Sequence, residues 1–189
     1  MKQTIIAVIC FLCVSSLYIQ AQKINHPSLL YTPQRIQQVK QRMQHEPKLQ
    51  EAWGDIKRTA DEALQKKDFN RLDYLSLAYL MTDNKEYADV IKEIHLKTVE
   101  AESWGDVEMM ARIPAWRSQL GMAHKSFLSA VGYDAAYNLM SSSERKKIAE
   151  GLKRLAVEPA LGDWLLEPTR IHSLHSMGHN WWTSCVCQG

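Results

Sequence analysis

Apolar residues recur at three- and four-residue steps along most of the chain, which places them on one face of an α-helix. The first such segment follows Thr32-Pro33, because threonine is a favoured N-cap and proline fits the first helical position. Pro47 ends this helix and begins the next. The inner faces of the two helices are predicted to carry Ile36, Val39, Met43, Leu49, Trp53, Ile56, Ala60 and Ala63.

Four further helices are predicted by the same pattern. The third is marked by Leu72 to Tyr79 and the fourth by Tyr87 to Thr98, with a few polar residues between them. Such a short join predicts an antiparallel helical hairpin. The fifth helix follows Pro114, and the sixth begins at Ser141, which has capping-box spacing to Glu144.

No alternating strand pattern of useful length is found, so the predicted fold class is all-α, built from successive helical hairpins. Two architectures fit this pattern: an open solenoid, or a ring of hairpins known as an α/α toroid. Solenoid repeats carry a consensus of fixed period, which this chain lacks. The irregular hairpin lengths therefore favour part of an incomplete α/α toroid.

The composition changes from residue 157 onward. Pro159, Gly162 and Pro168 are expected to break the helical pattern. Histidine and tryptophan crowd into the same stretch, at His172, His175, His179, Trp164, Trp181 and Trp182. Catalytic or ligand-binding residues are therefore expected in this stretch.

The N-terminus has the order of a secretory signal. Lys2 supplies the positive charge, Ile5 to Leu17 is an apolar run, and Ala21 is a small residue suited to cleavage. The run is too short for a membrane anchor, which needs about 20 apolar residues. We expect residues 1–22 to be a cleaved signal peptide, residues 23–189 to form one domain, and the mature protein to be periplasmic or secreted.

The balance and distribution of charged residues limit the kinds of binding partner that are expected. Of the 23 Lys and Arg residues only Lys2 leaves with the signal, so 22 remain against 21 Asp and Glu. Because the basic residues are interspersed with acidic ones, nucleic acid is not expected as a partner. No stretch after the signal is apolar enough to cross a bilayer, so no membrane is expected as a partner of the mature protein. Cys185 and Cys187 are too close to bond to each other without strain, so they are interpreted as buried thiols.

The most informative segment is Gly178-His179-Asn180-Trp181-Trp182. Read as a loop that enters a helix, it lies where free backbone N–H groups favour anions. Asn180 could then donate to a carboxylate, His179 could transfer protons, and a tryptophan could pack on a sugar ring. The structural alternative stays open: Asn180 as an N-cap, His179 at the surface and both tryptophans in the core.

Two other chemistries are weaker. His172, His175, His179, Cys185 and Cys187 are metal-ligand types, but their spacing matches no common zinc site, so no metal or other cofactor is expected. Asp134 and Asp163 could serve as the acid pair of a glycoside hydrolase. Asp134 could equally cap a packing contact within its helix.

Three segments in this order resemble the heparinase II/III-like polysaccharide lyases. The opening His26 to Ile36 is similar to the start of their N-terminal toroid. Gly132-Tyr133-Asp134 through Leu139, followed by Ser143-Glu144-Arg145, is similar to their central helix pair. Gly178 to Trp182 is similar to the histidine/asparagine-aromatic segment beside their active site. Family members are much longer, so we expect a truncated sequence that lacks a β-sandwich and a catalytic tyrosine beyond residue 189.

The resemblance implies β-elimination on a polysaccharide that contains uronic acid. It assigns Asn180 to neutralise the uronate carboxylate, with His179 assisting or acting as base. Substrate-binding roles are assigned to Trp181, Trp182, Trp116, Arg112 and Arg117. Two other functions remain open: a non-catalytic helical module that binds glycan or protein, and an α/α-toroid glycoside hydrolase. The fragment alone is expected to be inactive.

Overall fold

The computed structural model describes residues 24–111 and 115–165, and within these ranges it is all-helical, with no strand. The prediction that the chain is all-α is therefore confirmed for this part of it. The helices are α1 (Pro33–Met43), α2 (Pro47–Lys66), α3 (Leu72–Thr82), α4 (Lys85–Thr98), α5 (Val107–Met110), α6 (Leu120–Ala136), α7 (Ser142–Leu152) and α8 (Glu158–Trp164).

Local signals set most helix ends. The Thr32 hydroxyl accepts a hydrogen bond from the Arg35 backbone N–H, and prolines begin both α1 and α2, as predicted. Ser141 and Glu144 form the full capping box that their spacing predicts at α7. Asp83 ends α3 in the left-handed conformation (φ 56°), and Asn84 caps α4 directly afterwards. The link between α3 and α4 is thus the short polar turn that the sequence predicts.

Helix α3 is the centre of the packing, in contact with α2, α4 and α6. Because it touches neighbours on several sides, it is apolar around most of its circumference rather than along one stripe. The core around it contains fully buried side chains from five helices, among them Ala60, Leu72, Leu75, Ala78, Tyr87, Ile91, Met122, Leu128 and Ile148.

A fully buried histidine joins α4 to α6. His95 Nδ1 lies 2.7 Å from the Ile91 carbonyl oxygen, and Nε2 lies 2.9 Å from that of Ser129. A Cβ added at Gly132 would lie 2.7 Å from the His95 ring, so the absence of a side chain there lets the two helices approach. Helix α7 approaches Val99 through Gly151 in the same way.

The expected break at Pro159 and Gly162 is wrong. Helix α7 continues through a π-helical segment, Lys153–Val157, into α8, and Pro159 lies in the first turn of α8. The wider π turn changes which carbonyls are paired, so proline is tolerated where a regular α-helix would have needed its N–H. Gly162 faces the Arg117 guanidinium, which leaves little room for a side chain.

The described ranges contain no helix that is both long and apolar enough to cross a bilayer. The segment Ile5 to Leu17, interpreted as a signal, lies outside those ranges.

Candidate functional site

The predicted site residues divide into two groups. His179, Asn180, Trp181, Trp182 and Arg112 lie outside the described residues, so their predicted roles stay predictions. Trp116 and Arg117 are described, and both lie in the segment that precedes α6.

Trp116 and Arg117 are held against α8. The Trp116 indole N–H donates to the Ser118 carbonyl oxygen (3.1 Å), and its ring meets Trp164 edge to face at 6.2 Å between centroids. The Arg117 guanidinium lies 3.6 Å from Asp163. Trp116 is half-buried and Arg117 is exposed, so each keeps some accessible surface.

Asp163 anchors this segment from within α8. Its carboxylate accepts hydrogen bonds from the backbone N–H groups of Arg117 (2.6 Å) and Ser118 (2.7 Å), and from the Ser118 hydroxyl (3.0 Å). Asp163 is only 2% exposed. A buried carboxylate is tolerated because these donors replace the water that it loses.

Asp134 performs the same task near the C-terminal end of α6. It lies on α6, is 3% exposed, and accepts from the backbone N–H groups of Ser28 and Leu29, both at 2.8 Å. His26 Nδ1 lies 2.6 Å from the same carboxylate. The carboxylate thereby ties the N-terminal segment to α6, more than 100 residues away in sequence.

These contacts argue against Asp134 and Asp163 as a hydrolytic pair. A carboxylate that serves as acid, base or nucleophile needs an oxygen available to the substrate. Both groups are instead buried and accept three or more hydrogen bonds from loop residues. The capping alternative considered for Asp134 matches its observed contacts.

A cleft of about 1000 Å³ opens beside the Asp134 anchor, between the N-terminal segment, the end of α6 and the start of α7. We call it the basic cleft. Its lining includes His26, Tyr133, Tyr137, Asn138, Arg145 and Lys146. No Asp or Glu side chain lines it among the described residues.

Aromatic contacts hold two side chains of the basic cleft, His26 and Arg145. The His26 imidazole stacks on the Tyr137 ring at 3.8 Å between centroids. The Arg145 guanidinium lies over the same ring at 4.7 Å, within cation–π range. Tyr133 meets Tyr137 edge to face, and its hydroxyl donates to the Arg145 carbonyl oxygen (3.3 Å).

The pKa of Tyr133 is raised above its usual value of 10, because burial and the neighbouring Tyr137 disfavour the charged form. The Arg145 guanidinium opposes this shift but does not cancel it. The Tyr133 hydroxyl is therefore protonated at neutral pH and can act as a hydrogen-bond donor.

The cleft itself was not predicted from the sequence. His26, Tyr133 and Arg145 entered through the resemblance, Tyr137 was used only as a marker of the fifth helix, and Asn138 and Lys146 were not singled out. A usable signal was present, since Tyr137 follows Tyr133 by four residues, which places both on one helical face. The contribution of His26 depends on a long-range contact that no local pattern encodes.

No group of three or more potential metal ligands occurs within residues 24–111 and 115–165. The histidines and cysteines considered as ligands, from His172 to Cys187, lie outside those ranges.

Comparisons with known proteins do not identify a family: no family model, no curated protein and no solved structure matches this chain.

Proposed function

We propose that this chain is the N-terminal region of an exported polysaccharide lyase that cleaves uronate-containing polysaccharide by β-elimination. Its helical hairpins would form part of an α/α toroid. One observation carries the proposal: two of the segments that resemble heparinase II/III-like lyases contact each other directly. Asp134 accepts hydrogen bonds from Ser28 and Leu29, so the opening segment and the central helix pair form one structural unit.

The reaction starts from a weakly acidic proton on C5 of the uronate. Negative charge develops next to the carboxylate as this proton leaves, so a fixed donor to that carboxylate lowers the barrier. Asn180 is proposed as the donor, with His179 assisting or accepting the proton. Trp181, Trp182 and Trp116 would pack on sugar rings, while Arg112 and Arg117 would pair with acidic groups on the polymer.

The test uses the polypeptide translated from the complete reading frame. It is incubated with heparan, chondroitin, hyaluronan, alginate and ulvan, and ultraviolet absorbance reports the new C4–C5 double bond. We expect an unsaturated product from at least one polymer. If all five remain uncleaved by a folded protein, the lyase proposal is wrong.

A non-catalytic glycan-binding module is the second candidate, and the basic cleft favours it. Cationic and aromatic side chains can hold an acidic glycan without cleaving it. Reading the genomic sequence past codon 189 separates the candidates: a long open frame supports the lyase, and an immediate stop codon supports the module.

A further inference from the structure

We propose that the basic cleft binds the anionic group of an acidic saccharide, either a uronate carboxylate or a sulfate ester, at a position centred on Arg145. The identification of the ligand as a saccharide rests on the proposed function. The anion site itself rests on the charge and geometry of the cleft.

The environment of the Arg145 side chain gives the main support for an anion site. Its side chain is half-buried, lies over Tyr137, and donates to the Ser142 hydroxyl at 3.3 Å. Among the residues that the structure describes, it forms no ion pair. Arg35, Arg71 and Arg154 also form none, but those three side chains are exposed to water, whereas Arg145 is half-buried. A partly desolvated guanidinium without a counter-ion gains more from an anionic ligand than a solvated one does.

The neighbouring polar side chains are already positioned. A carboxylate only accepts, so the contact with Asp134 places a proton on His26 Nδ1; in that tautomer Nε2 is an acceptor, which suits a sugar hydroxyl. Asn138 is fixed by a hydrogen bond from its side-chain amide to the His26 carbonyl oxygen (2.9 Å). Lys146 adds a second, exposed cation to the wall, 3.9 Å from Glu150.

The form of the cleft favours a saccharide over other anions. About 1000 Å³ is at the upper end of the range for small-molecule sites, so several linked rings fit better than a single small ion. Two tyrosines and Asn138 supply polar and apolar surface for hydroxyl groups and ring faces. Nucleic acid is disfavoured, because basic residues elsewhere on the chain alternate with acidic ones.

The test measures binding without turnover. The complete polypeptide carrying Asn180→Ala is titrated by calorimetry with an unsulfated uronate oligosaccharide, and separately with a sulfated oligosaccharide that lacks uronate. Arg145→Gln should weaken binding of at least one ligand about tenfold or more, which corresponds to one lost charge-assisted hydrogen bond. The ligand that is affected identifies the anion as carboxylate or sulfate.

Two further variants keep the test independent of folding. Lys146→Gln changes an exposed side chain (77%) and should weaken the same ligand severalfold without unfolding the protein. Arg58→Gln removes one positive charge from an exposed position on α2 and should leave affinity unchanged. Wild-type affinity in both Arg145→Gln and Lys146→Gln, or an equal loss in Arg58→Gln, would overturn the proposal.

The outcome is separable from that of the lyase test. If no polymer is cleaved but Arg145→Gln still weakens oligosaccharide binding, the anion site stands and the proposed function fails. If a polymer is cleaved and the cleft variants bind normally, the function stands and this inference fails.

Discussion

Two buried aspartates do the same work near the two ends of helix α6. Asp134 and Asp163 each project from a helix and accept backbone N–H groups from a distant irregular segment. Irregular segments have no ladder or helix to satisfy their amides, so a carboxylate is an effective substitute. One aspartate therefore fixes His26 of the opening segment, and the other fixes the segment that carries Trp116 and Arg117, two predicted substrate-binding residues.

Replacing Asp134 with asparagine tests this anchoring role. The amide keeps the size of the side chain but turns one acceptor into a donor that faces the N–H groups of Ser28 or Leu29. We expect a loss of about 1–3 kcal/mol in the free energy of unfolding, measured by chemical denaturation. Asp55→Asn, at an exposed position (71%), should change it by less than about 0.5 kcal/mol. Equal effects in the two variants would contradict the anchoring role.

His95 predicts a dependence of stability on pH. Burial lowers its pKa below the usual 6.5, and the hydrogen bonds to the Ile91 and Ser129 carbonyls oppose that shift. As pH falls below about 6.5, the unfolded chain binds a proton at this residue before the folded chain does, so stability decreases. Below the lowered pKa of the folded state, His95 is protonated in both the folded and the unfolded chain, so its effect on stability no longer changes with pH.

Unfolding free energies of wild type and His95→Gln, measured between pH 8 and pH 5 (about neutral to mildly acidic), check this sign. The free energy of unfolding of His95→Gln should decrease less than that of wild type as the pH falls. His45→Gln, at an exposed position, should show the wild-type decrease. A His95→Gln protein with the wild-type slope would show that this histidine is not the source.

The close packing of α6 against α4 requires glycine at position 132. A methyl group at Gly132 would meet the His95 ring at 2.7 Å and Leu72 and Ile91 at 3.3 Å, so Gly132→Ala should cost about 1–3 kcal/mol of stability. Gly54 of α2 has no atom within 4 Å of an added Cβ. Gly54→Ala should therefore stabilise the protein by up to about 1 kcal/mol. Thermal unfolding should therefore give a lower Tm for Gly132→Ala and a higher Tm for Gly54→Ala than for wild type. Tm shifts of the same sign in both variants would contradict this packing.

At this scale, sequence reasoning succeeded where the cause is local. The N-cap at Thr32, the capping box at Ser141 and the turn at Asp83-Asn84 involve residues within four positions of each other, and all were predicted. The break expected at Pro159 was wrong because a π turn, stabilised by tertiary packing, carries the helix across it. The short helix α5 was not predicted, since four residues are too few to show a period.

Long-range contacts explain what the sequence did not predict about the site. The Asp134 anchor joins residues more than 100 positions apart, and the basic cleft combines the N-terminal segment with the ends of two helices. Residue types alone therefore left Asp134 open between an anchor and an acid of a hydrolytic pair. Periodicity reveals which face of a helix is buried, but not which loop lies against it.

Export is a prediction about the whole molecule. If the N-terminus is a signal that is cleaved after Ala21 or Gln22, the protein purified from a cell envelope or culture fluid should begin at Gln22 or Lys23. Intact mass and N-terminal sequencing measure this directly. A mature protein that retains Met1 and the apolar run Ile5 to Leu17 would contradict export by this route.

The proposed lyase reaction requires a side-chain amide at position 180 that neutralises a uronate carboxylate during proton removal. Its most direct test is the rate of unsaturated-product formation by the complete polypeptide and its Asn180→Ala variant at saturating substrate, with Asn70→Ala, an exposed asparagine, as control. We predict a decrease of about 10²–10³ in kcat for Asn180→Ala and none for Asn70→Ala. An Asn180→Ala enzyme with wild-type kcat would contradict this requirement.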